Sequence, residues 1–440
     1  MAPEEPLSTP PSRLCELFTE RFGALEDAGD GAAPGVPRLV FASAPGRVEL
    51  AGNHTDHQGG RTISAAVDRR CYALAAPNGT RTAHLAMEGF GEASFNVDEL
   101  EPREEERQSS TALARGMADG YVRAGGSLGG FDMAVCSDIP AGRSISSSAA
   151  FEMLVGVALH ALFDPEGAPA FDKVALALDG SRTEQEYFGK MAGAQDQLAS
   201  IHGGVSALNF AEPVPTATPI DFAPESLGCA LVLVDSRCDH VRYTDDFSAI
   251  SRDMRDAARL FGAERLIEVP YPTFLSSLGE VRGRLGDRAA LRALHFYEET
   301  RRVEQQTQAL RDGDAARFLA LVRQSGASSA QFLQNVSPRG DVEGKDQPMA
   351  IVLALCAHLL DGAGAPDGAD EGGEAAPDRQ AGGVRGAYRI HGGGFGGAAL
   401  AFVPNAQAES FVAEMDRLLG YDACMPVRLS AHGAQAQRLR

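Results

Sequence analysis

The sequence predicts an α+β protein. Short apolar runs with strand-like composition occur along the whole chain, and longer runs carry apolar residues at helical spacing. The two kinds of segment do not follow each other in a steady strand–helix rhythm, which argues against a doubly wound parallel sheet. No internal repeat of fixed period is present. With 440 residues, the chain is long enough for more than one domain and for a large apolar core.

The predicted elements follow from short apolar runs bounded by turn residues for strands and from helical periodicity for helices. The first strand is expected to end in the Ala44–Gly46 turn, and Arg69 and Arg70 are expected to separate the next two. The predicted strands are Leu39–Ser43, Ile63–Asp68, Cys71–Ala76, Gly130–Val135, Val205–Phe210, Cys229–Val234, Tyr388–Ile390, Ala398–Val403 and Val427–Ser430. The predicted helices are Leu14–Phe22, Thr111–Val122, Val174 to about Lys190, several within Leu275–Arg323, Pro348–Leu360 and Ala406–Leu419.

Composition excludes several classes of function. The chain has 60 acidic and 40 basic residues and a net charge of −20, which argues against nucleic acid and anionic membranes as partners. Its seven cysteines form no Cys-x-x-Cys pair, so neither a zinc site nor a disulfide framework is predicted. The acidic start is unlike a secretory signal, and the longest apolar stretch is too short to span a bilayer. We expect a cytoplasmic protein.

Residues 361–385 form a low-complexity segment of Gly, Ala, Pro and acidic residues without an aromatic residue. Such a segment buries too little apolar surface to offset the entropy lost on ordering. We therefore predict a flexible insertion and expect a surface loop rather than a regulatory element.

Polar residues crowd the segment that follows the first strand. Arg47, His54, Asp56 and His57 lie close together beside turn glycines, a pattern typical of a pocket wall. Arg47 is a permanent cation that can hold a phosphate, and Asp56 can accept hydrogen bonds from vicinal hydroxyls. A solvated loop explains the same composition. A metal site is less well supported, because the histidines lack metalloprotease spacing and a fourth ligand.

A second motif, Asp138–Glu152, contains a Pro-Gly turn and then Ser146–Ser148 at the start of a predicted helix. Backbone N–H groups and the positive end of the helix dipole at such a point bind anions, and a serine hydroxyl can add a Mg²⁺ ligand. No Walker motif is present. The serines are equally compatible with a simple N-cap.

Two further segments give weaker signals. Asp196 lies between two glutamines in a Gly-rich segment, which on its own is typical of a turn. The spacing of Gly392, Gly394 and Gly397 matches a dinucleotide-binding fingerprint, but a strand rather than a helix is predicted to follow. We therefore interpret this cluster as a strand–turn–strand whose backbone approaches another loop or a phosphate.

The order of these motifs resembles the GHMP small-molecule kinases and, within them, the galactokinase family. Gly46–Asp56 is similar to the family's sugar signature, Pro140–Ala150 to its phosphate loop, Gly193–Gln197 to its catalytic aspartate segment and Gly392–Gly397 to its late glycine motif. The resemblance implies two α+β lobes with the site in the cleft between them. We expect an N-terminal lobe over 38–228 and a C-terminal lobe over 229–440, after a partly flexible segment 1–37.

The resemblance implies an ATP-dependent kinase that phosphorylates the anomeric C1 hydroxyl of galactose or a close relative. Asp196 and Arg47 would be catalytic, and Mg²⁺ would be held by Ser148 and Glu184, which the family's spacing favours over Glu186. The sugar-binding residues would be Asn53, His54, Asp56 and Gly193. The residues around the ATP phosphates would be Gly142, Arg143, Ser144, Ile145, Ser146, Ser147 and Ser148.

The chain departs from the family pattern at several positions. Glu49 replaces an Asn, Asn53 replaces a Glu and His57 replaces a Tyr, while Phe247 stands where a pocket tyrosine is common. An amide at Asn53 can donate as well as accept, so it could weaken galactose binding or admit a uronic acid such as galacturonate. A galacturonate kinase is therefore one alternative.

Ser144 also replaces the second glycine of the phosphate loop, beside the bulky Arg143, which motivates a second alternative, a non-catalytic sugar and ATP sensor. A third alternative is a kinase for a mevalonate-like alcohol, against which the polar cluster His54–Asp56 argues.

Overall fold

The computed structural model describes residues 9–25, 39–140, 144–190, 193–222, 224–238, 243–338, 346–361 and 385–439. Strands and helices are mixed along this part of the chain, which confirms the α+β prediction. The strands are β1 (Leu39–Ala51), β2 (Arg61–Pro77), β3 (Thr82–Met87), β4 (Gly91–Asn96), β5 (Phe131–Ser137), β6 (Val205–Asn209), β7 (Thr216–Ile220), β8 (Cys229–Asp235), β9 (Ala387–His391), β10 (Ala398–Pro404), β11 (Cys424–Val427) and β12 (Gln435–Leu439).

The helices agree with most of the sequence predictions to within a few residues. They are α1 (Ser12–Phe22), α2 (Ser110–Arg123), α3 (Ser147–Phe163), α4 (Lys173–Thr183), α5 (Gln195–His202), α6 (Thr244–Arg259), α7 (Tyr271–Ser276), α8 (Leu278–Leu285), α9 (Asp287–Arg311), α10 (Ala315–Ser328), α11 (Pro348–Asp361) and α12 (Ala408–Leu419). None of the helices in the described part of the chain is long and apolar enough to cross a membrane.

The first sheet is built around β1 and β2. Its strand order is β12-β1-β2-β5-β3-β4, and β6 pairs with β2 and β7. Two sequence predictions were wrong here, because β1 continues through Pro45 and Gly46 and β2 continues through Arg69 and Arg70. The pairing of β1 with β2 shifts register between Pro45 and Arg47, where Gly46 faces three residues of β2, so the Pro-Gly segment lies at an irregularity within a continuous strand instead of in a turn.

The second sheet has the order β11-β8-β10-β9, with all neighbours antiparallel. The predicted strand Val427–Ser430 was wrong: β11 ends at Val427, and Leu429 makes only an isolated bridge to Val67. After this sheet the chain returns to the first one, where β12 pairs with β1. The end of the predicted C-terminal lobe therefore lies in the first sheet, while the lobe boundaries near 38 and 229 stay predictions.

Apolar side chains form several clusters, and the largest also contains residues of the second sheet, such as Leu231 and Phe402. The largest lies between the first sheet and helices α2 to α5, and includes Phe131, Met153 and Leu198. Others lie between the second sheet and α11 and α12, and among helices α6 to α9. Helix α1 covers the outer face of the first sheet through Leu14 and Phe18. The predicted insertion falls almost wholly on residues 362–384, which lie outside the described residues.

Candidate active site

Arg47 and Asp196 form a bidentate ion pair between the first sheet and helix α5. Arg47 Nε donates to Asp196 Oδ1 at 2.6 Å, and Arg47 Nη2 donates to Oδ2 at 2.7 Å. The irregularity before Arg47 brings Gly46 so close to the loop before α3 that a Cβ would lie 2.7 Å from Ile145 O. Asp196 lies in the first turn of α5. The two residues predicted to be catalytic are thus in direct contact.

The surroundings of Asp196 keep its carboxylate ionised. Burial alone would raise its pKa, but the charges of Arg47 and Lys190 and hydrogen bonds from Arg47 and Ser146 lower the pKa to about 2. At neutral pH the group is therefore a fixed negative charge that accepts hydrogen bonds. A carboxylate with so low a pKa is a weak base but a strong acceptor for a substrate hydroxyl.

The predicted phosphate loop lies beside this pair. Arg47 donates through Nη1 to Ser144 O at 2.8 Å and through its backbone N to Ile145 O at 3.1 Å. Ser144 and Ser146 both have left-handed backbone angles, with φ of 61° and 57°. Helix α3 begins at Ser147, whose side chain is exposed. Gly142 and Arg143, also predicted to bind ATP, lie outside the described residues.

Ser146 occupies the N-cap position of α3 but does not cap the helix with its side chain. Its hydroxyl instead donates to Asp196 Oδ2. The N-terminal amides of α3 therefore do not donate to this side chain, and the positive end of the helix dipole is adjacent to the Arg47–Asp196 pair. Of the two interpretations of the serines, this geometry favours anion binding over a simple N-cap.

The two predicted Mg²⁺ ligands are also in contact. Ser148 Oγ donates to Glu184 Oε1 at 2.7 Å, and Lys190 Nζ lies 3.1 Å from the same oxygen. Glu184 is buried at the start of a single π-helical turn, whereas Glu186 is exposed and pairs with Arg182. The choice of Glu184 over Glu186 therefore agrees with the position of each side chain.

The donor set around Ser148 suits a magnesium ion carried by a nucleotide. No group of three or more His, Cys, Asp or Glu side chains in the described part of the chain is arranged to hold a metal alone. One hydroxyl and one carboxylate are nevertheless enough, because Mg²⁺ keeps several waters and takes further oxygens from phosphates. The residues present fit the ion.

Sequence analysis missed Glu152, which is fully buried one helical turn beyond Ser148. Gln197 Nε2 donates to its Oε2 at 2.8 Å, and its Oε1 has no hydrogen-bond partner in the described structure. Burial, together with the negative charge of Glu184, raises the pKa of Glu152 well above its usual value. Its spacing of four from Ser148 on one helix face was the signal that could have revealed it.

His54, Asp56 and Gly193 line one region next to Asp196. His54 Nε2 lies 2.9 Å from Gly393 O, and its ring packs against Phe247 with centroids 5.0 Å apart. Burial lowers the pKa of His54 to about 3, so the ring is neutral. Asp56 approaches Gly193 so closely that a Cβ on the glycine would lie 2.3 Å from its Oδ2.

The structure corrects the prediction that Asn53 contacts the sugar. Asn53 has 0% exposure, and protein groups occupy its amide. Its Nδ2 donates to Gly392 O at 2.5 Å, while its Oδ1 accepts from Asn335 Nδ2 at 2.8 Å and from Ser329 Oγ at 3.3 Å. No atom of the amide is available to a ligand, so the substitution of Glu by Asn at this position is no argument for a uronic acid substrate.

The glycine cluster packs against other loops, as its spacing predicted. It connects β9 to β10 and brings its backbone against the sugar-signature segment, where Asn53 Nδ2 donates to Gly392 O and His54 Nε2 lies within hydrogen-bond distance of Gly393 O. A Cβ on Gly393 would lie 2.0 Å from Phe247 Cε2, and one on Gly394 would lie 2.3 Å from Asn335 O. Only glycine allows this approach.

Comparison with known proteins agrees with the geometry. Residues 16–77 match the family model described as the galactokinase galactose-binding signature, and residues 112–204 match the model of the GHMP kinases N terminal domain. The chain belongs to the galactokinase family of the GHMP kinases. The first model covers Arg47, His54 and Asp56, and the second covers Ser148, Glu184 and Asp196.

Relatives extend the similarity over most of the chain. A galactokinase from Lactobacillus helveticus is 27% identical over 398 residues, which is 87% of this chain and 91% of the relative. The structure of Lactococcus lactis galactokinase complexed with galactose matches with a TM-score of 0.75 at 22% identity, over 97% of this chain and 99% of that one. Mevalonate kinase from Methanococcus jannaschii matches with a TM-score of 0.58 at 14% identity, over 90% and 99%.

Proposed function

We propose that this chain is an ATP-dependent sugar kinase that transfers the γ-phosphoryl group of ATP to the anomeric C1 hydroxyl of galactose. The observation that carries the proposal is the Arg47–Asp196 ion pair beside the N-terminus of α3. This arrangement puts an acceptor for a sugar hydroxyl next to a site for phosphate, and such positioning provides most of the catalysis in phosphoryl transfer. Membership of the galactokinase family and the Lactobacillus helveticus relative support galactose as the sugar.

Asp196 would accept a hydrogen bond from the attacking hydroxyl. Its pKa of about 2 makes it poor at removing the proton early, so its main contribution is to orient the hydroxyl, with proton transfer late in the reaction. Arg47 holds both carboxylate oxygens and leaves Asp196 a single orientation. The same guanidinium stabilises negative charge that develops on the transferred group.

Backbone amides at the start of α3 would bind the ATP phosphates, because the Ser146 side chain does not occupy them. Ser148 and Glu184 would hold Mg²⁺, which neutralises phosphate charge when it is bound. Lys190, 3.1 Å from Glu184, adds a positive charge on the same side. The expected location of the enzyme is the cytoplasm.

The sugar would lie between His54, Asp56 and the backbone at Gly193. Asp56 would accept from ring hydroxyls, and His54 is held in place by its hydrogen bond to Gly393 O. These polar groups argue against a mevalonate-like substrate, which is mostly apolar. The bidentate ion pair and the Ser148–Glu184 contact argue against a sensor without activity.

The test is ADP release measured with a coupled assay for galactose, galacturonate, N-acetylgalactosamine, glucose and arabinose. We expect the highest kcat/KM for galactose. We expect Asp196→Ala to lose about 10²–10⁴-fold in kcat while galactose binding by calorimetry survives. The exposed Asp312→Ala serves as the control and should keep wild-type kcat. Full turnover in Asp196→Ala would remove Asp196 from the mechanism, and no sugar-dependent ADP release by the wild type would refute the proposal.

A further inference from the structure

Glu49 lies at the centre of a buried polar cluster that sequence analysis did not assign to the site. It is in β1, two residues beyond Arg47, and is 6% exposed. Arg389 Nη2 donates to its Oε1 at 2.6 Å, and Gln195 Nε2 donates to its Oε2 at 2.9 Å. Asn53 Nδ2 lies 3.4 Å from Oε1. Each carboxylate oxygen thus contacts a different part of the fold.

The cluster connects the two sheets to the catalytic helix. Arg389 belongs to β9 of the second sheet, and the backbone N of Glu49 also donates to His391 Nε2 of that strand at 3.0 Å. Gln195 is the first residue of α5 and directly precedes Asp196. Through one side chain, β1 of the first sheet is therefore joined both to β9 and to the turn that carries Asp196.

The contact between Glu49 and Arg389 is a buried ion pair. Arg389 is 0% exposed, and its Nε and Nη1 have no hydrogen-bond partner in the described structure, so the carboxylate of Glu49 is the group that its guanidinium holds directly. Burial raises the pKa of Glu49, and the positive charge of Arg389 opposes that rise. An arginine cannot give up its charge, so removing the carboxylate would leave a buried cation without the hydrogen-bonded partner that it has in Glu49.

We propose that Glu49 is a positioning residue for phosphoryl transfer, which fixes Gln195 and thereby aligns Asp196 with Arg47. The oxygen that accepts from Arg389 holds the carboxylate against the second sheet. The oxygen that accepts from Gln195 holds the first residue of α5 in place. Glu49 itself touches neither the predicted phosphate site nor the predicted sugar site. The inference rests on the proposed kinase function for its kinetic consequences and on geometry alone for its structural ones.

Two variants separate positioning from folding. Gln195→Leu removes only the contact to α5 and leaves the Glu49–Arg389 ion pair intact, so the protein should fold normally. Glu49→Gln removes the charge and should also lower the melting temperature. The matched control is Glu106→Gln, which breaks the ion pair between Glu106 and the buried Arg115 (2.5 Å), an arginine whose hydrogen bonds go to Glu106 and Glu99 O and not to Gln195 or Asp196.

The first measurement is steady-state kinetics on folded protein. We expect kcat to fall about 10–100-fold in Gln195→Leu and Glu49→Gln, with KM for galactose changed less than about 3-fold, because alignment of a reacting group affects the chemical step more than binding. Glu106→Gln should lose stability but keep its kcat. A folded Gln195→Leu protein with wild-type kcat would overturn the inference.

The second measurement does not depend on turnover. The ¹³C carboxyl resonance of Asp196, identified by its loss in Asp196→Asn, reports the pKa of that group by titration. We expect the pKa to rise in Gln195→Leu and Glu49→Gln, because a misaligned Arg47 opposes the effect of burial less strongly. An unchanged pKa in both variants would refute the inference even if the chain proves to have no kinase activity.

Discussion

At the scale of single residues, the exchange of a carboxylate and an amide is the most informative change in the site. The galactokinase pattern has Asn at position 49 and Glu at position 53, and this chain has them reversed. In the structure the two side chains face each other at 3.4 Å, and the carboxylate now pairs with Arg389. A change that suggested a different sugar when only the sequence was considered is a rearrangement of buried hydrogen bonds.

The Mg²⁺ ligands provide a residue-scale prediction with an internal control. Glu184→Gln removes the buried carboxylate that contacts Ser148, so the Mg²⁺ concentration for half-maximal activity should rise about 10–100-fold. Glu186→Gln, two residues away on the exposed side, should leave it unchanged. The measurement is the coupled ADP assay over a Mg²⁺ series at saturating ATP and galactose. If both variants needed the same Mg²⁺ concentration for half-maximal activity, the assignment of Glu184 as a Mg²⁺ ligand would be contradicted.

At the scale of elements, the start of α3 differs from the starts of α2 and α4. Ser109 caps α2 by accepting from Ala112 N, and Asp172 caps α4 by accepting from Val174 N and Ala175 N. Ser146, at the same position of α3, directs its hydroxyl to Asp196. Other helices such as α1, α6 and α12 also lack a side-chain cap, so the feature that favours phosphate binding at α3 is the position of its uncapped start beside the Arg47–Asp196 pair.

This difference predicts opposite effects for two serine substitutions. Ser109→Ala should lower the free energy of unfolding by about 1 kcal/mol and leave kcat unchanged, because it removes a cap whose hydroxyl donates to Glu106 O, accepts from Ala112 N and hydrogen-bonds to none of the candidate site residues. Ser146→Ala should change stability little, since no cap is lost, but should lower kcat because Asp196 loses a hydrogen bond. Urea unfolding and steady-state kinetics on both proteins test the pair. If Ser146→Ala instead lowered the free energy of unfolding by about 1 kcal/mol and left kcat unaltered, the hydroxyl would stabilise the helix and have no part in catalysis.

At the scale of the whole molecule, two buried histidines, His54 and His295, and the partly buried His57 lie in or against the segment that follows β1. His295 of α9 contacts Asn53 O at 2.9 Å, and His54 and His57 lie in the segment after β1. Burial lowers the pKa of all three, with His54 near 3 and His57 near 4. The unfolded chain takes up protons at these histidines near pH 6.5, and the folded chain does not.

The free energy of unfolding is therefore expected to decrease as the pH falls. Because the folded pKa of His57 is lowered, its contribution is fully present above pH 6.5 and is lost as pH falls from about 6.5 to about 4. His57→Gln should therefore lose less stability than the wild type between pH 7.5 and pH 5, by up to about 2 kcal/mol, because pH 5 lies about 1.5 units below the unfolded pKa and each unit is worth about 1.4 kcal/mol. Urea unfolding at the two pH values measures this. The exposed His84→Gln is the control and should follow the wild type, and a His57→Gln curve with the wild-type pH slope would contradict the prediction.

The sequence by itself determined the α+β class, most helices and the identity of the motifs around Arg47, Ser148, Glu184 and Asp196. These features depend on local periodicity, and the motifs keep their order along the chain whatever the packing. Predictions from turn residues were wrong where pairing within the first sheet continued a strand through them. Pro45-Gly46 and Arg69-Arg70 look like strand ends, yet the pairing of β1 with β2 accommodates them at an irregularity.

Tertiary structure alone decided which polar groups are free to bind a substrate. Glu49 accepts hydrogen bonds from Asn53 and from Arg389, which is more than three hundred residues away, and no local pattern shows that these carboxylate and amide groups are already used. The return of β12 to the first sheet was equally hidden, because strand pairing depends on long-range contacts. The physical reason is the same in both cases: burial and hydrogen-bond satisfaction are properties of groups brought together by folding, whereas periodicity and motif order belong to the chain.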